Sequence, residues 1–361
     1  MKLRKLQSQL RKKGIDLALF LTPDPNLTYF TQIEDLSFAC LIVPAYKNPV
    51  LLTSLMDYER SEKEFSAVQE IIPIKNIITL KRKKLSEFLP EFLKKNKIKH
   101  SNIGINKPHM SIYAFSFIKK AVKGKYHDIY PICSELRSTK TKKEIQHIKK
   151  ACHITNQVMR EVLDRFNEFK TETQVEAELN YLAKRLFADR SFKTIVASGK
   201  NASMPHHTTK NRPLQKGFCL IDFGVKYKGY CSDITRTVFI GKPSSKQQRI
   251  YDFLLNIQEK TIKKSIPGTT ADELYEYVVK NLKQYKDNFI HGLGHGFGIE
   301  IHESPNLSKA SKDILKENMI FTIEPGIYFP NKFGIRIEDD ILIQNGKPKV
   351  LTTVGKGLRR V

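Results

Sequence analysis

The stretch Gly217-Phe218-Cys219-Leu220-Ile221-Asp222-Phe223-Gly224-Val225-Lys226-Tyr227-Lys228-Gly229-Tyr230-Cys231-Ser232-Asp233 carries two aspartates in an otherwise apolar, strand-forming context. The run Phe218–Val225 predicts a buried strand, and the polar, glycine-containing centre predicts the turn of a hairpin. With Tyr227 and Lys228 as the central turn residues, Asp222 falls opposite Asp233. Like charges directly opposed destabilise a sheet, and an aspartate in so apolar a run is desolvated as well. The pair therefore makes sense if a cation lies between the carboxylates. The competing arrangement is a bulge that sends them to opposite faces.

Working outward, a second acidic pair has the same form. Met319-Ile320-Phe321-Thr322-Ile323-Glu324-Pro325-Gly326 and Gly334-Ile335-Arg336-Ile337-Glu338-Asp339-Asp340 flank a turn-rich loop centred on Asn331, which sets Glu324 opposite Glu338. Pro325 removes a ladder donor and weakens that register. Four carboxylates on two antiparallel pairs can form an all-oxygen cage for two divalent ions. Between the pairs runs His291-Gly292-Leu293-Gly294-His295-Gly296-Phe297-Gly298-Ile299-Glu300-Ile301-His302-Glu303-Ser304-Pro305. Alternating glycines oppose a helix, and no Glu follows the first His, so the helical HExxH zinc motif is excluded. Extended, the segment places His291, Leu293 and His295 on one face, with glycines on the other for close backbone packing. An imidazole joining a carboxylate cage suits manganese, cobalt, iron or zinc better than calcium.

The frame around these motifs is that of an ordinary globular protein. A chain of 361 residues with 40% hydrophobic and 27% charged residues has room for two cores and is not compositionally disordered. Neither an apolar span of membrane length nor an export signal is read, and the five cysteines stand singly, without CxxC spacing. The expected compartment is the reducing cytoplasm. The net charge of +25 is spread along the chain. Its densest patch, Lys81-Arg82-Lys83-Lys84, opens an amphipathic helix through Leu85, Phe88, Leu89, Phe92 and Leu93 without any aromatic RNA-binding signature. A solvated basic surface is expected, with no specific nucleic-acid partner.

Helical and strand patterns alternate to about residue 135. They start with a helix on Leu3, Leu6 and Leu10 that Gly14 stops, followed by strands at 17–21, 40–43 and 50–52. Thr141-Lys142-Lys143-Glu144 is a capping box, and Ile145, Ile148, Cys152, Thr155 and Met159 form one face of the helix it opens. The expected domains are residues 1–135 and 136–361. Within the second, 173–187 and 246–265 read as helices, and 218–240 and 319–343 as extended pairs.

The ordered set Asp222, Asp233, His295, Glu324, Glu338 resembles the metallopeptidase family that contains methionine aminopeptidase, aminopeptidase P and prolidase. The resemblance implies an α+β protein: a creatinase-like α/β N-terminal domain followed by a pita-bread catalytic domain. In that family's pattern Asp222 chelates one metal, Asp233 and Glu338 bridge both, and His295 and Glu324 bind the other. His206, in Ser203-Met204-Pro205-His206-His207, matches the family's first active-site histidine, and His302 its substrate-binding histidine. His291 and Arg336-Ile337-Glu338 are similar to the proline-specific branch. So are Gly14-Ile15-Asp16-Leu17-Ala18-Leu19 and Asn26-Leu27-Thr28-Tyr29-Phe30-Thr31, which look like the creatinase/prolidase N-terminal domain.

The activity so implied is hydrolysis of Xaa-Pro bonds, as Xaa-Pro dipeptidase or Xaa-Pro aminopeptidase, by a metal-bridged hydroxide. The cofactor is two divalent ions, manganese first, with cobalt, zinc or iron as alternatives. Glu324 moves the proton, while His206 and His302 donate to substrate and oxyanion. His291 shapes the proline pocket. Arg336 either clamps a dipeptide carboxylate or supports Glu338 from behind. Substrates are short peptides with proline second, and the resemblance implies a homodimer. The rival expectations are a creatinase-like hydrolase that needs no metal, and a protein- or nucleic-acid-binding relative that has lost its ligands.

Overall fold

The computed structural model describes residues 2–66, 76–80 and 84–361. Most of the basic patch, Lys81 to Lys83, lies outside the described residues. The chain divides into two compact units, Met1–Leu136 and Arg137–Val361.

The first unit is built on Leu17–Leu21, whose five residues are all buried. That strand pairs antiparallel with Ala39–Pro44 and parallel with Asn102–Ile105, and Val50–Thr53, Asn76–Thr79 and Lys125–Asp128 complete a mixed six-stranded sheet. A strand covered on both faces reads as a continuous apolar run, which is why this one was legible. Helix Lys2–Lys12 buries Leu3, Leu6 and Leu10, and Gly14 follows with φ +65°. Leu85–Lys95 buries Leu85, Leu89 and Leu93. Asp24 caps a short helix, Pro25–Thr31, by accepting the Asn26 N–H.

In the second unit, helix Lys142–Asp164 opens on the expected capping box, with Thr141 Oγ1 and Glu144 satisfying each other's backbone N–H groups. Its face of Ile145, Ile148, Cys152, Thr155 and Met159 is buried. Each large apolar side chain on such a face contributes about 1.5–3 kcal/mol relative to exposure. This helix and Glu172–Arg185 cover one hydrophobic cluster; Ser245–Lys264 and Ala271–Leu282 cover another. Between them lie the strands that carry the acidic motifs. Gly217–Phe223 is central in a sheet with Ile195–Ser198 and Ile234–Ile240. Ile320–Ile323 pairs with Gly294–Gly296 on one side and Asp339–Gln344 on the other.

The first hairpin corrects the expected register. The turn is Lys228-Gly229, with φ +47° and +76°, the left-handed pair a two-residue turn requires, rather than Tyr227-Lys228. Asp222 therefore pairs with Thr235, not Asp233. The slip is two residues, an even number, so the two aspartates keep a common face as diagonal neighbours. The second hairpin has the expected register on both sides of its break: Gly326 pairs with Arg336, and Ile323 with Asp339. Glu324 and Glu338 sit where the ladder is interrupted. Their backbone N–H groups donate to Leu293 and Thr235, which stitches the two hairpins and the histidine segment together.

Candidate metal centre

Asp222, Asp233, His295, Glu324 and Glu338 line one cavity of about 510 Å³, together with His206, His291, His302 and Arg336. All nine residues singled out from the sequence meet there. One ligand atom each from Asp233, His295 and Glu338 lies within 4.8 Å of the others. His295 Nε2 is 3.8 Å from Asp233 Oδ2 and 3.5 Å from Glu324 Oε1.

Each donor is held in place by a neighbour. His295 Nδ1 donates to the Gly296 carbonyl at 3.2 Å, which puts the ring proton there and leaves the Nε2 lone pair facing the carboxylates. The His295 N–H donates to Thr322 Oγ1, whose hydroxyl donates to Glu324 Oε1 at 3.2 Å. That contact needs Gly294, because a Cβ there would lie 2.1 Å from the Thr322 carbonyl oxygen. Thr235 Oγ1 donates to Glu338 Oε2 at 2.6 Å. The Asp233 N–H donates to Asp340 Oδ2, which also accepts from Cys152 Sγ. Arg236, 2% exposed, donates to the carbonyls of Thr235, Glu338 and Val354 and to Asp339 Oδ1.

The electrostatics of this cluster disfavour bare negative charge, which a proton or a cation can relieve. Burial pushes Asp233 well above the usual carboxylate range, and Glu338, Asp222, Asp340 and Glu324 push it further. Burial likewise raises Glu338 well above its ordinary value, with Glu324 and Asp222 adding to it, and takes Glu324 up to about 7. Burial, helped by the His302 ring, lowers His295 to about 3, so the imidazole is neutral and can be a ligand. Asp222 Oδ1 and Asp233 Oδ1 are buried without a hydrogen-bond partner among the described residues. Four carboxylates crowded together, orphaned oxygens and a neutral imidazole fit hard or borderline divalent ions.

Two expectations change on contact with the structure. Leu293 does not share the cavity face with His291 and His295; it packs in the core with Leu307, Phe321 and Ile323, because the chain bends before the short strand Gly294–Gly296. Arg336 lies against Asp222 rather than Glu338. Its Nη2 donates to Asp222 Oδ2 at 2.5 Å, Nε to Thr235 Oγ1 at 3.0 Å, and Nη1 to Tyr328 OH at 2.9 Å and the Pro205 carbonyl at 3.4 Å.

The supports behind the cavity were less visible in the sequence. Tyr328 OH, accepting from Arg336, donates in turn to His291 Nε2 at 3.0 Å, since His291 Nδ1 is committed to the Gly292 carbonyl. The signal was there: in the second hairpin's register Tyr328 is a diagonal neighbour of Arg336 on one face. His302 packs edge-on to His295 with ring centroids 4.3 Å apart. The next residue, Glu303, is buried between Arg137 Nη2 at 2.6 Å and Lys140 Nζ at 3.1 Å. His206 is exposed at the cavity, and the neighbouring His207 donates from Nε2 to buried Glu172, which also accepts from Ser198 and Asn201.

Residues 146–345 match the profile of metallopeptidase family M24, and residues 2–139 that of the creatinase/prolidase N-terminal domain. The chain is 34% identical over 361 residues to an Xaa-Pro dipeptidase of Pyrococcus furiosus, covering 99% of each. The chain belongs to metallopeptidase family M24. Among solved M24-like structures, the Xaa-Pro dipeptidase of Bacillus anthracis superposes with a TM-score of 0.90 at 28% identity, over 100% of this chain and 99% of that one. The X-Pro aminopeptidase of Thermotoga maritima gives 0.87 at 29% identity, over 98% and 100%. The fold is thus a creatinase-type N-terminal domain followed by the M24 pita-bread domain, and the protein is a metallopeptidase that uses divalent metal ions. No helix among the described residues is long and apolar enough to cross a membrane.

Proposed function

We propose that this M24 enzyme hydrolyses the Xaa-Pro bond of short peptides, dipeptides foremost, with residues 136–361 as the catalytic domain. The observation that carries this reading is the convergence of Asp222, Asp233, His295, Glu324 and Glu338 on one buried cavity whose carboxylates are destabilised without a cation. Asp222 would hold one divalent ion, His295 and Glu324 the other, and Asp233 and Glu338 both. Manganese is the first candidate. Bound there, the ions supply Lewis acidity to the scissile carbonyl and acidify water.

The remaining work falls to side chains. Glu324, steadied by Thr322, takes the proton of the attacking water and delivers it to the proline nitrogen. His302 and His206 donate hydrogen bonds to the substrate carbonyl as charge develops on its oxygen. His291, which lines the cavity and is held by Tyr328 OH from behind, would shape the pocket for the pyrrolidine ring, whose nitrogen carries no N–H for a general peptidase to read. Five buried cysteines without a disulfide support a cytoplasmic setting. The family resemblance supports a homodimer.

The test is direct. Manganese-loaded protein should cleave an Xaa-Pro dipeptide, leave Xaa-Ala intact, and lose turnover on chelation; cleavage that survives complete metal removal excludes this chemistry.

Arg336 supplies a further prediction. Four of its five N–H groups meet Asp222, Thr235, Tyr328 and Pro205, which supports a role in orienting the Asp222 ligand over one in reading substrate length. Arg336→Lys should lower kcat/KM about 10- to 100-fold, the usual loss for a partner that orients a metal ligand. The loss should be equal on Xaa-Pro and Xaa-Pro-Yaa. A loss confined to the dipeptide would restore the carboxylate-clamp role.

A further inference from the structure

A dipeptide brings a second charge to the site. Its C-terminal carboxylate lies one residue beyond the scissile carbonyl, a span of about 3.5 Å. A cavity that favours dipeptides needs a cation to meet it. Among the described residues lining the cavity, the lysine and arginine side chains are Lys193 and Arg336. Arg336 is 4% exposed and its nitrogens are occupied. His291 and His295 each donate from Nδ1 to a backbone carbonyl, and His295 faces the metal ligands.

Lys193 is different in kind: it is exposed, and it lines the same cavity. It sits just before the strand Ile195–Ser198. Ile195 pairs with Asp222 across the antiparallel ladder, so their side chains share a face. Lys193 precedes Ile195 by two residues, and Ile195 also lines the cavity. Two residues of chain span at most about 7 Å, an interval a lysine's four-carbon stem can cover while its ammonium stays wet.

We propose that Lys193 is a specificity-determining residue of this site, its ammonium receiving the C-terminal carboxylate of an Xaa-Pro dipeptide. The assignment rests on the Xaa-Pro reading and adds to it the group that selects substrate length. Metal-loaded, full-length wild type, Lys193→Ala and Lys193→Arg are compared on an Xaa-Pro dipeptide and on the same compound as its C-terminal amide, which lacks the charge. Lys193→Ala should lose on the order of 10-fold in kcat/KM on the acid, mostly through KM, as expected for one charge-assisted contact. Its loss on the amide should be several-fold smaller, and Lys193→Arg should keep most of the preference for the acid. Equal losses on acid and amide, an undiminished acid rate in Lys193→Ala, or loss of bound metal in that variant overturns the assignment. Wild-type protein that cleaves neither compound overturns the Xaa-Pro reading beneath it, so the two failures are told apart.

Discussion

Replacing Asp233 or Glu338 with alanine is expected to abolish turnover, by more than about 10³-fold, and to lower metal content more than any histidine substitution outside the cage. Each carboxylate is taken to serve both ions, so neither can be lost singly. The stability effect has an informative sign. In metal-free protein burial and the neighbouring Glu338, Asp222, Asp340 and Glu324 disfavour the charged form of Asp233, so alanine there removes a group that the fold holds most easily as the neutral acid. The metal-free alanine variant should therefore melt no lower than metal-free wild type. Wild type should gain thermal stability on adding manganese, because ion binding to the folded state is linked to folding, and the variants should gain little. Two tightly bound ions and normal turnover in either variant would sink the dinuclear assignment.

His302 should behave in the opposite way. It touches the His295 ring at 4.3 Å between centroids, and the adjacent Glu303 is buried against Arg137 and Lys140, so its position is fixed from outside the cage. His302→Ala should leave metal content near wild type while kcat falls about 10²- to 10³-fold, the cost of one lost oxyanion donor. Metal analysis and single-turnover kinetics on the same preparation separate the two effects. Depleted metal would make His302 a ligand.

What the sequence revealed, and what it hid, follows from how each residue is held. The second hairpin was read in its true register because Asn331, at φ +57°, centres its turn, and residues on either side alternate without a bulge. In the first hairpin two adjacent dipeptides could each have turned, and Lys228-Gly229 prevailed because both residues adopt positive φ there. The error left the aspartates on a common face only because it was even. Leu293 was misplaced because alternation presupposes an extended chain, and here the chain bends. The partners that hold the cage, Thr235, Thr322, Tyr328 and Asp340, are ordinary polar residues in strands, and tertiary proximity alone distinguishes them. Arg336 was visible as important, but its direction was not, since one guanidinium can face a substrate or a ligand equally well from the same register position.

Arg236 has a consequence for how the enzyme comes by its metal. It clamps the hairpin of Asp222 and Asp233 to the backbone of Glu338, a residue 102 positions away in sequence. Each hairpin by itself offers only two of the five cavity ligands, with no imidazole and nothing to fix their spacing against the other pair. The long loop between them must close before any ion can offset its entropy. A chain still being synthesised, or one that has lost its tertiary structure, is thus a poor scavenger of divalent ions. Metal acquisition is then expected to follow folding, and unfolding to release the ions together, which a metal-sensitive dye read alongside a thermal melt would check.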